Sequence, residues 1–345
     1  MQALILAGGK GTRLRPLTVY TPKPIVPVLN RPLLLYQIEV LARAGIKDIK
    51  LSLSYQPDKI EDVLGDGSDF GVNLQFITES SPLGTGGAYK YAANGTKETT
   101  IVLNGDVLTD IDIAELVEFH KERRADATIV LAPVENPSEY GLVETDGDGK
   151  VLCFVEKPSA EDCAGTAANT INAGIYVLEP SILRLIPDGE GTSLEYNVFP
   201  EILKRGIGFY GFNLGKHYWR DVGTPSSYLA AHRDFLRGAI ETIEPAITHS
   251  DIATKAFVDK HSVIGEGCVI KPNARIVNSV LGPGVHIDER SVVENSVIWA
   301  HTRVSAFAEV RGAVVGRSCY IGRNVTVSEG SVLGDKASLP DYSTV

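Results

Sequence analysis

Residues 1–24 read MQALILAGGKGTRLRPLTVYTPKP, and the architecture turns on how the first eleven are parsed. Residues 3–7 are an apolar run without polar alternation, as expected of a strand covered on both faces of a parallel sheet. Gly8, Gly9 and Gly11 follow at once. Glycines let backbone N–H groups come close to an anion, so a strand feeding this turn suits a phosphate. The turn nevertheless matches neither common phosphate fingerprint. A P-loop needs Gly-Lys-Ser/Thr, and here Lys10 precedes Gly11-Thr12. A dinucleotide fingerprint needs a third Gly or Ala, and Gly9-Lys10-Gly11-Thr12-Arg13 runs into Leu14 instead.

Outward from this stretch, short apolar runs alternate with helical patterns. Strands are expected at 49–53, 74–77, 101–103, 128–131, 151–155 and 175–178, and helices at 32–44 (closed by Gly45), 57–64 and 114–123. This β/α alternation predicts an α/β, doubly wound, mostly parallel sheet over residues 1–240. Ligands of such sheets bind at the carboxyl ends of the strands, where the glycine turn and Asn104-Gly105-Asp106 both fall.

Residues 251–345 obey a different grammar. Ser262-Val-Ile-Gly, Asn278-Ser-Val-Leu-Gly, Asn295-Ser-Val-Ile-Trp, Gly312-Ala-Val-Val-Gly and Gly330-Ser-Val-Leu-Gly place Ile264, Leu281, Ile298, Val315 and Leu333 17 or 18 residues apart. Within each interval an aliphatic recurs near every sixth position, as in Ile264, Ile270, Ile276 and Leu281, Ile287, Val293. That is the hexapeptide repeat of a left-handed parallel β-helix. Residues 225–240, helix-like, and 241–250 form the junction. Some hexapeptide proteins transfer acyl groups with a histidine base, and His261, His286 and His301 are available. No long excursion loop interrupts the repeat, however, so it reads as a structural spine that rigidifies or oligomerises the protein.

The formal charge of −10 argues against a nucleic-acid partner, which requires basic surface. It leaves room for a nucleotide, which needs only a local basic site. Cys153, Cys163, Cys268 and Cys319 are widely spaced and form no CxxC pair, so they read as reduced thiols. No long apolar span or targeting segment is evident. A cytoplasmic, membrane-free protein is expected.

The candidate chemistry starts with the glycine turn, Arg13 and Lys23, a backbone cradle and two cations suited to a polyphosphate. Lys23 lies between Pro22 and Pro24, which restrict its backbone. Asp106 follows the 101–103 strand, and Asp221 lies in Trp219-Arg220-Asp221-Val222-Gly223-Thr224-Pro225. Two carboxylates converging on a polyphosphate would hold Mg²⁺, which takes one or two carboxylates plus phosphate oxygens.

AGGKGTRLRPLT and TPKP resemble the signature of the sugar-nucleotide pyrophosphorylases, a nucleotidyltransferase family. Leu83-Gly84-Thr85-Gly86-Gly87, Asn104-Gly105-Asp106, Tyr140-Gly141, Glu156-Lys157-Pro158, Asn172-Ala173-Gly174 and Trp219–Gly223 fall in that family's order, and many members carry a β-helix. Within the family the chain is most similar to the mannose-1-phosphate guanylyltransferases. The resemblance implies transfer of a nucleoside monophosphate from GTP, or another NTP, to a sugar-1-phosphate with Mg²⁺. Leu6, Gly8, Gly9, Gly11, Thr12, Glu79 and Gly84 would bind the nucleotide, Arg13 the departing pyrophosphate and Lys23 the α-phosphate. Lys157 would grip the sugar phosphate and Glu156 and Asn172 the sugar hydroxyls, with Gly141 and Gly174 admitting the ring. Asp106 and Asp221 would hold the metal. Lys10, at a variable position of the turn, could reach the β- or γ-phosphate or point into solvent.

Glu79 bears on the base. Relatives that use thymidine or uridine nucleotides carry Gln at this place. Guanine presents adjacent N1–H and N2–H₂ donors, which a carboxylate, having only acceptors, takes together. GTP is therefore favoured. Mannose rests on the resemblance alone. The alternatives are a glucose-1-phosphate thymidylyl- or uridylyltransferase and a non-catalytic regulatory paralogue that binds nucleotide-sugar.

Overall fold

The computed structural model describes residues 1–134, 140–159, 170–189, 191–240 and 250–345. Cys163 and junction residues 241–249 lie outside the described residues. The chain packs into two compact units. The first comprises 1–9 and 34–219, the second 10–33 and 220–345. The sequence grammar changes at 240–251, whereas these units divide elsewhere: residues 10–33 belong with the C-terminal part.

The first unit is built on a nine-stranded sheet. β1 (Gln2–Leu6), β2 (Asp48–Leu53), β3 (Asn73–Thr78) and β4 (Thr100–Asn104) run parallel in the order β3-β2-β1-β4. Ala3, Leu4 and Ile5 are at most 1% exposed, so the unbroken apolar run reflects a strand covered on both faces. Helices α1 (Leu33–Arg43), α2 (Pro57–Leu64) and α3 (Gly84–Ala92) make the crossovers between these parallel strands. After α4 (Ile113–Glu122) come β5 (Ala127–Pro133), β6 (Gly141–Thr145), β7 (Val151–Glu156) and β8 (Thr170–Leu178).

Here the parallel run ends. β8 pairs antiparallel with β4, β5 and β6, and β7 antiparallel with β6, while β9 (Phe209–Asn213) restores a parallel pair with β5. α5 (Phe199–Lys204) covers this half. Phe199 lies 5.1–5.4 Å, centroid to centroid, from Tyr176, Phe209 and Phe154, making an aromatic centre for the core.

In the second unit, α6 (Pro225–Leu236) starts at Thr224, whose Oγ1 accepts the Ser227 N–H. The β-helix follows as three parallel sheets of six, five and five short strands. Ile264, Leu281, Ile298, Val315 and Leu333 stack in register down one sheet and pack toward its interior.

The Asn-Ser-Val repeat has a physical account position by position. Asn278 and Asn295 adopt left-handed φ (44° and 51°), a conformation Asn tolerates. Each serine hydroxyl accepts a backbone N–H from the next coil: Ser279 N to Ser262, Ser296 N to Ser279, and Ala313 N to Ser296, at 3.1–3.2 Å. The valine that follows points outward, yet Val263, Val280, Val297 and Val314 are at most 5% exposed. On the other two sheets the outward column is exposed at His286, Arg303 and Tyr320, and at Arg275, Glu309 and Thr326. One flank of the β-helix is thus covered. His286 faces out from its strand, His301 sits in a left-handed turn, and His261 Nδ1 bonds the Leu236 carbonyl. Cys268 and Cys319 are buried, which raises their thiol pKa values, while Cys153 is exposed.

Candidate active site

In the first unit, strand register decides which loops meet. Leu6 pairs with Ser52 on one side and Asn104 on the other, and Ser52 pairs with Ile77. Gly8-Gly9, Ser54, Glu79 and Gly105-Asp106 therefore leave neighbouring strands at one edge. The Gly105 N–H donates to the Leu6 carbonyl (2.9 Å), holding the half-buried Asp106 beside the glycine turn.

Leu6, Gly8, Gly9, Ser54, Glu79, Pro82, Gly84, Thr85 and Ala88 line a pocket of about 230 Å³. Glu79 is 8% exposed, which rules out a solvated loop acid. Its Oε1 accepts from Ser52 Oγ (2.7 Å) and its Oε2 from the Leu83 N–H (3.0 Å). A carboxylate has about four acceptor sites, so two bonds orient it without exhausting it. Ser54 Oγ donates to the Gly8 carbonyl and braces the turn. The Gly86 and Gly87 N–H groups both donate to the Thr192 carbonyl, at 2.8 and 3.0 Å. The glycines of Leu83–Gly87 thus seat the 192–195 segment on the start of α3.

That segment carries a polar chain that sequence reasoning missed. Glu195 Oε2 accepts from Thr85 Oγ1 and Ser193 Oγ (2.6 Å each), and Oε1 accepts from Tyr176 OH (3.0 Å). Tyr176 OH in turn accepts from Asn172 Nδ2 (2.9 Å), and Asn172 Oδ1 accepts the Gly174 N–H (2.9 Å). Burial, and then the Glu195 carboxylate, raise the Glu156 pKa, while Lys157 opposes them. Lys157 is exposed at φ 50°, its N–H bonded to the Tyr140 carbonyl.

Gly174 has φ 71°, and a Cβ there would lie 2.7 Å from Asn104 Nδ2. Gly174→Ala should therefore destabilise the protein by about 2–4 kcal/mol, from the left-handed backbone and the clash together. A denaturant titration measures this, and a change below about 1 kcal/mol would refute it. The space beside Gly141 is taken by neighbours as well, with Glu156 Oε2 2.7 Å from where a Cβ would stand.

The second unit brings together Gly11, Arg13, Lys23 and Asp221. Gly11 is left-handed (φ 60°), and a Cβ there would stand 3.0 Å from Lys23 Cβ and 3.2 Å from Thr18 Cγ2. Thr18 Oγ1 donates to the Gly11 carbonyl (2.7 Å). Lys23 opens a 3₁₀ turn (Lys23–Ile25) between its prolines, and Thr12 and Arg13 sit in another (Thr12–Leu14). Arg13 Nη2 is 3.9 Å from Asp221 Oδ2. Arg220 turns away to Asp234 (2.7 Å), leaving Asp221 to face the arginine. Gly9, Lys10 and Thr12 are exposed. Among the described residues no group of three or more His, Cys, Asp or Glu side chains could hold a metal, and no helix is long and apolar enough to cross a membrane.

Of the residues named from sequence, the first unit thus gathers Leu6, Gly8, Gly9, Glu79 and Gly84 around one pocket. Missed were Ser52, Ser54, Tyr176 and Glu195, whose sequence positions carry no motif, and Thr85 stood within Leu83–Gly87 but was given no role.

Known proteins resemble the chain along nearly its whole length. The nucleotidyl transferase family model matches residues 2–238, and the LbH domain model of the EIF2B epsilon subunit matches 247–345. A mannose-1-phosphate guanylyltransferase of Mycobacterium tuberculosis is 38% identical over 306 residues, covering 85% of this chain and 83% of that protein. A mannose-1-phosphate guanyltransferase of Yarrowia lipolytica is 39% identical over 355 residues, covering 99% and 93%. A crystal structure from Bacillus anthracis, provisionally assigned as a glucose-1-phosphate thymidylyltransferase, superposes with TM-score 0.62 at 25% identity, covering 71% of this chain and 98% of that one. A glycine turn on a parallel strand, an aligned buried carboxylate and a family match through residue 238 lead to one conclusion: the chain belongs to the nucleotidyl transferase family.

Proposed function

We propose that the protein transfers a guanylyl group from GTP to mannose-1-phosphate, giving GDP-mannose and pyrophosphate. The observation that carries the base is Glu79, a buried carboxylate held by Ser52 and Leu83 at the wall of the Gly8–Gly9 pocket. The sugar is carried by relatives at 38–39% identity that bear this activity in their names.

An oxygen of the sugar phosphate forms a bond to the α-phosphorus of GTP. The bond from that phosphorus to the bridging oxygen breaks, and its electron pair leaves with pyrophosphate. No side-chain base is needed, because a phosphate monoester with a second pKa near ~6 is mostly deprotonated at neutral pH. The work of the protein is positioning and charge neutralisation.

In this reading Gly8, Gly9, Gly11 and Thr12 present backbone to the triphosphate, with Leu6 and Gly84 shaping the base pocket. Arg13 takes the departing pyrophosphate and Lys23 the charge at the α-phosphate. Lys157 holds the sugar phosphate. Glu156 and Asn172 face the sugar hydroxyls, Asn172 being oriented by Gly174 and Tyr176.

The donor set fits Mg²⁺. Asp106 and Asp221 would offer hard oxygen ligands to a cation that takes its others from phosphate and water. When bound, the metal supplies charge stabilisation on the phosphate oxygens.

The test is pyrophosphate release with GTP, UTP, dTTP and ATP against mannose- and glucose-1-phosphate. A preference for GTP with mannose-1-phosphate is expected, and a preference for UTP or dTTP would overturn the Glu79 argument. Glu79→Gln should lower kcat/KM for GTP by roughly 10- to 100-fold, the loss of one charge-assisted bond at about 1–3 kcal/mol, and narrow the gap to UTP and dTTP. Unchanged nucleotide ratios would remove Glu79 from base recognition.

A further inference from the structure

Residues 27–32 form a two-stranded hairpin, Pro27–Val28 against Arg31–Pro32, four residues after Lys23. Its two-residue tip, Leu29-Asn30, has φ 45° and 65°. A tip left-handed at both positions favours Asn and Gly, and leucine there is uncommon, so the surroundings must hold it.

They do so through one face of α6. His232 Nε2 accepts the Leu29 N–H (3.3 Å), and four residues earlier Tyr228 OH donates to the Pro27 carbonyl. His232 Nδ1 bonds the Tyr228 carbonyl (2.9 Å), which fixes the neutral tautomer with its acceptor toward Leu29. Burial pushes the His232 pKa down to about 4, so this tautomer persists at neutral pH.

The β-helix holds the same hairpin directly at one point and through Tyr228 at another. Asn30 Nδ2 donates to the Leu281 carbonyl (2.9 Å), and Trp299 Nε1 donates to Tyr228 OH (2.9 Å). Tyr228 is 0% exposed and Trp299 2%. Upstream, Pro16 packs at Gly334 and the Tyr20 ring lies under Lys336 (5.9 Å). The 16–30 stretch therefore runs alongside the β-helix from its last coils back to Leu281.

We infer that Tyr228 is a positioning residue, whose hydroxyl, receiving from Trp299 and giving to Pro27, uses the β-helix to hold the segment that presents Arg13 and Lys23. The geometric part stands on the contacts alone, while the catalytic consequence rests on the proposed function. Tyr228 is fully buried, so its action on the reaction would pass through the segment it holds.

The experiment uses the full chain with Tyr228→Phe and Trp299→Phe. Amide hydrogen exchange should rise roughly tenfold in residues 11–33 of Tyr228→Phe, with the strands of the first unit unchanged. In pyrophosphate release, kcat and the KM for GTP should worsen together about tenfold, and the KM for the sugar-1-phosphate should hold. Trp299→Phe, which removes the donor together with part of the buried indole's packing, should act in the same direction, and it serves if Tyr228→Phe does not fold. Exchange that is unchanged in 11–33, or that rises equally across both units, would overturn the inference. A wild-type protein inactive with every substrate pair would instead overturn the proposed function, and the exchange result would still decide the positioning role.

Discussion

Lys23→Met is expected to lower kcat/KM for pyrophosphate release by about 10²–10³-fold, the usual cost of removing one preorganised charge from a transition state. Methionine keeps the stem that packs against Gly11 and removes only the ammonium. The charge on the α-phosphoryl group is spread over several oxygens in the transition state, and a fixed cation there acts without reorganisation. The prolines on both sides of Lys23 hold its backbone at little further entropic cost. Steady-state kinetics read the loss. A thermal melt within about 2 °C of the parent shows that the fold is intact. A loss below about tenfold would take Lys23 out of the reaction.

Asp221→Asn has a comparable expected effect and a sharper signature. Asparagine is nearly isosteric, so the backbone bond from Ser227 Oγ to the Asp221 carbonyl should survive. The lost charge should cut kcat by about 10²–10³-fold and raise the Mg²⁺ concentration for half-maximal rate by at least about tenfold. If Asp221 served only to align Arg13, which it faces at 3.9 Å, the Mg²⁺ dependence would hold and the KM for GTP would rise instead. A magnesium titration at saturating substrates separates the two. Full activity in both variants would take both residues out of the reaction, whereas a parent protein silent with every substrate pair would favour the regulatory-paralogue reading.

Much of this was legible in the primary structure where a physical constraint repeats. The unbroken apolar run of β1 and the 17- or 18-residue spacing of inward aliphatics each follow from burial that several residues must satisfy together. Elements set by a single tertiary contact were not legible. α3 contains Gly84, Gly86 and Gly87, poor helix formers, and its start is capped by a carbonyl at Thr192, far along the chain. β8 begins at Thr170 rather than 175 because Gly174 interrupts the register between Asn172 and Tyr176 without ending the strand. Glu195 and Tyr176 look ordinary until the fold joins them to Thr85.

The place of residues 10–33 was hidden for a related reason. Their 3₁₀ turns and prolines carry no period that names a partner. A trace was present in the repeat itself, where Val263, Val280, Val297 and Val314 put an aliphatic on the outward side of coils whose other flanks carry charge. An outward apolar column in a β-helix signals a covered flank.

That partnership has a consequence for how the protein is made. Residues 10–33 leave the ribosome early, but Tyr228, Leu281 and Trp299, which hold them, emerge some two hundred and more residues later. At roughly 5–20 residues per second, the segment proposed to bind the phosphates waits for tens of seconds without its seat. The nascent sheet can close before then, yet its chemistry stays uncommitted. If those residues bind the phosphates as proposed, the order of synthesis withholds nucleotide turnover from incomplete chains, and ribosome stalling between the last sheet strand, Phe209–Asn213, and the β-helix would release a complete sheet without an assembled catalyst.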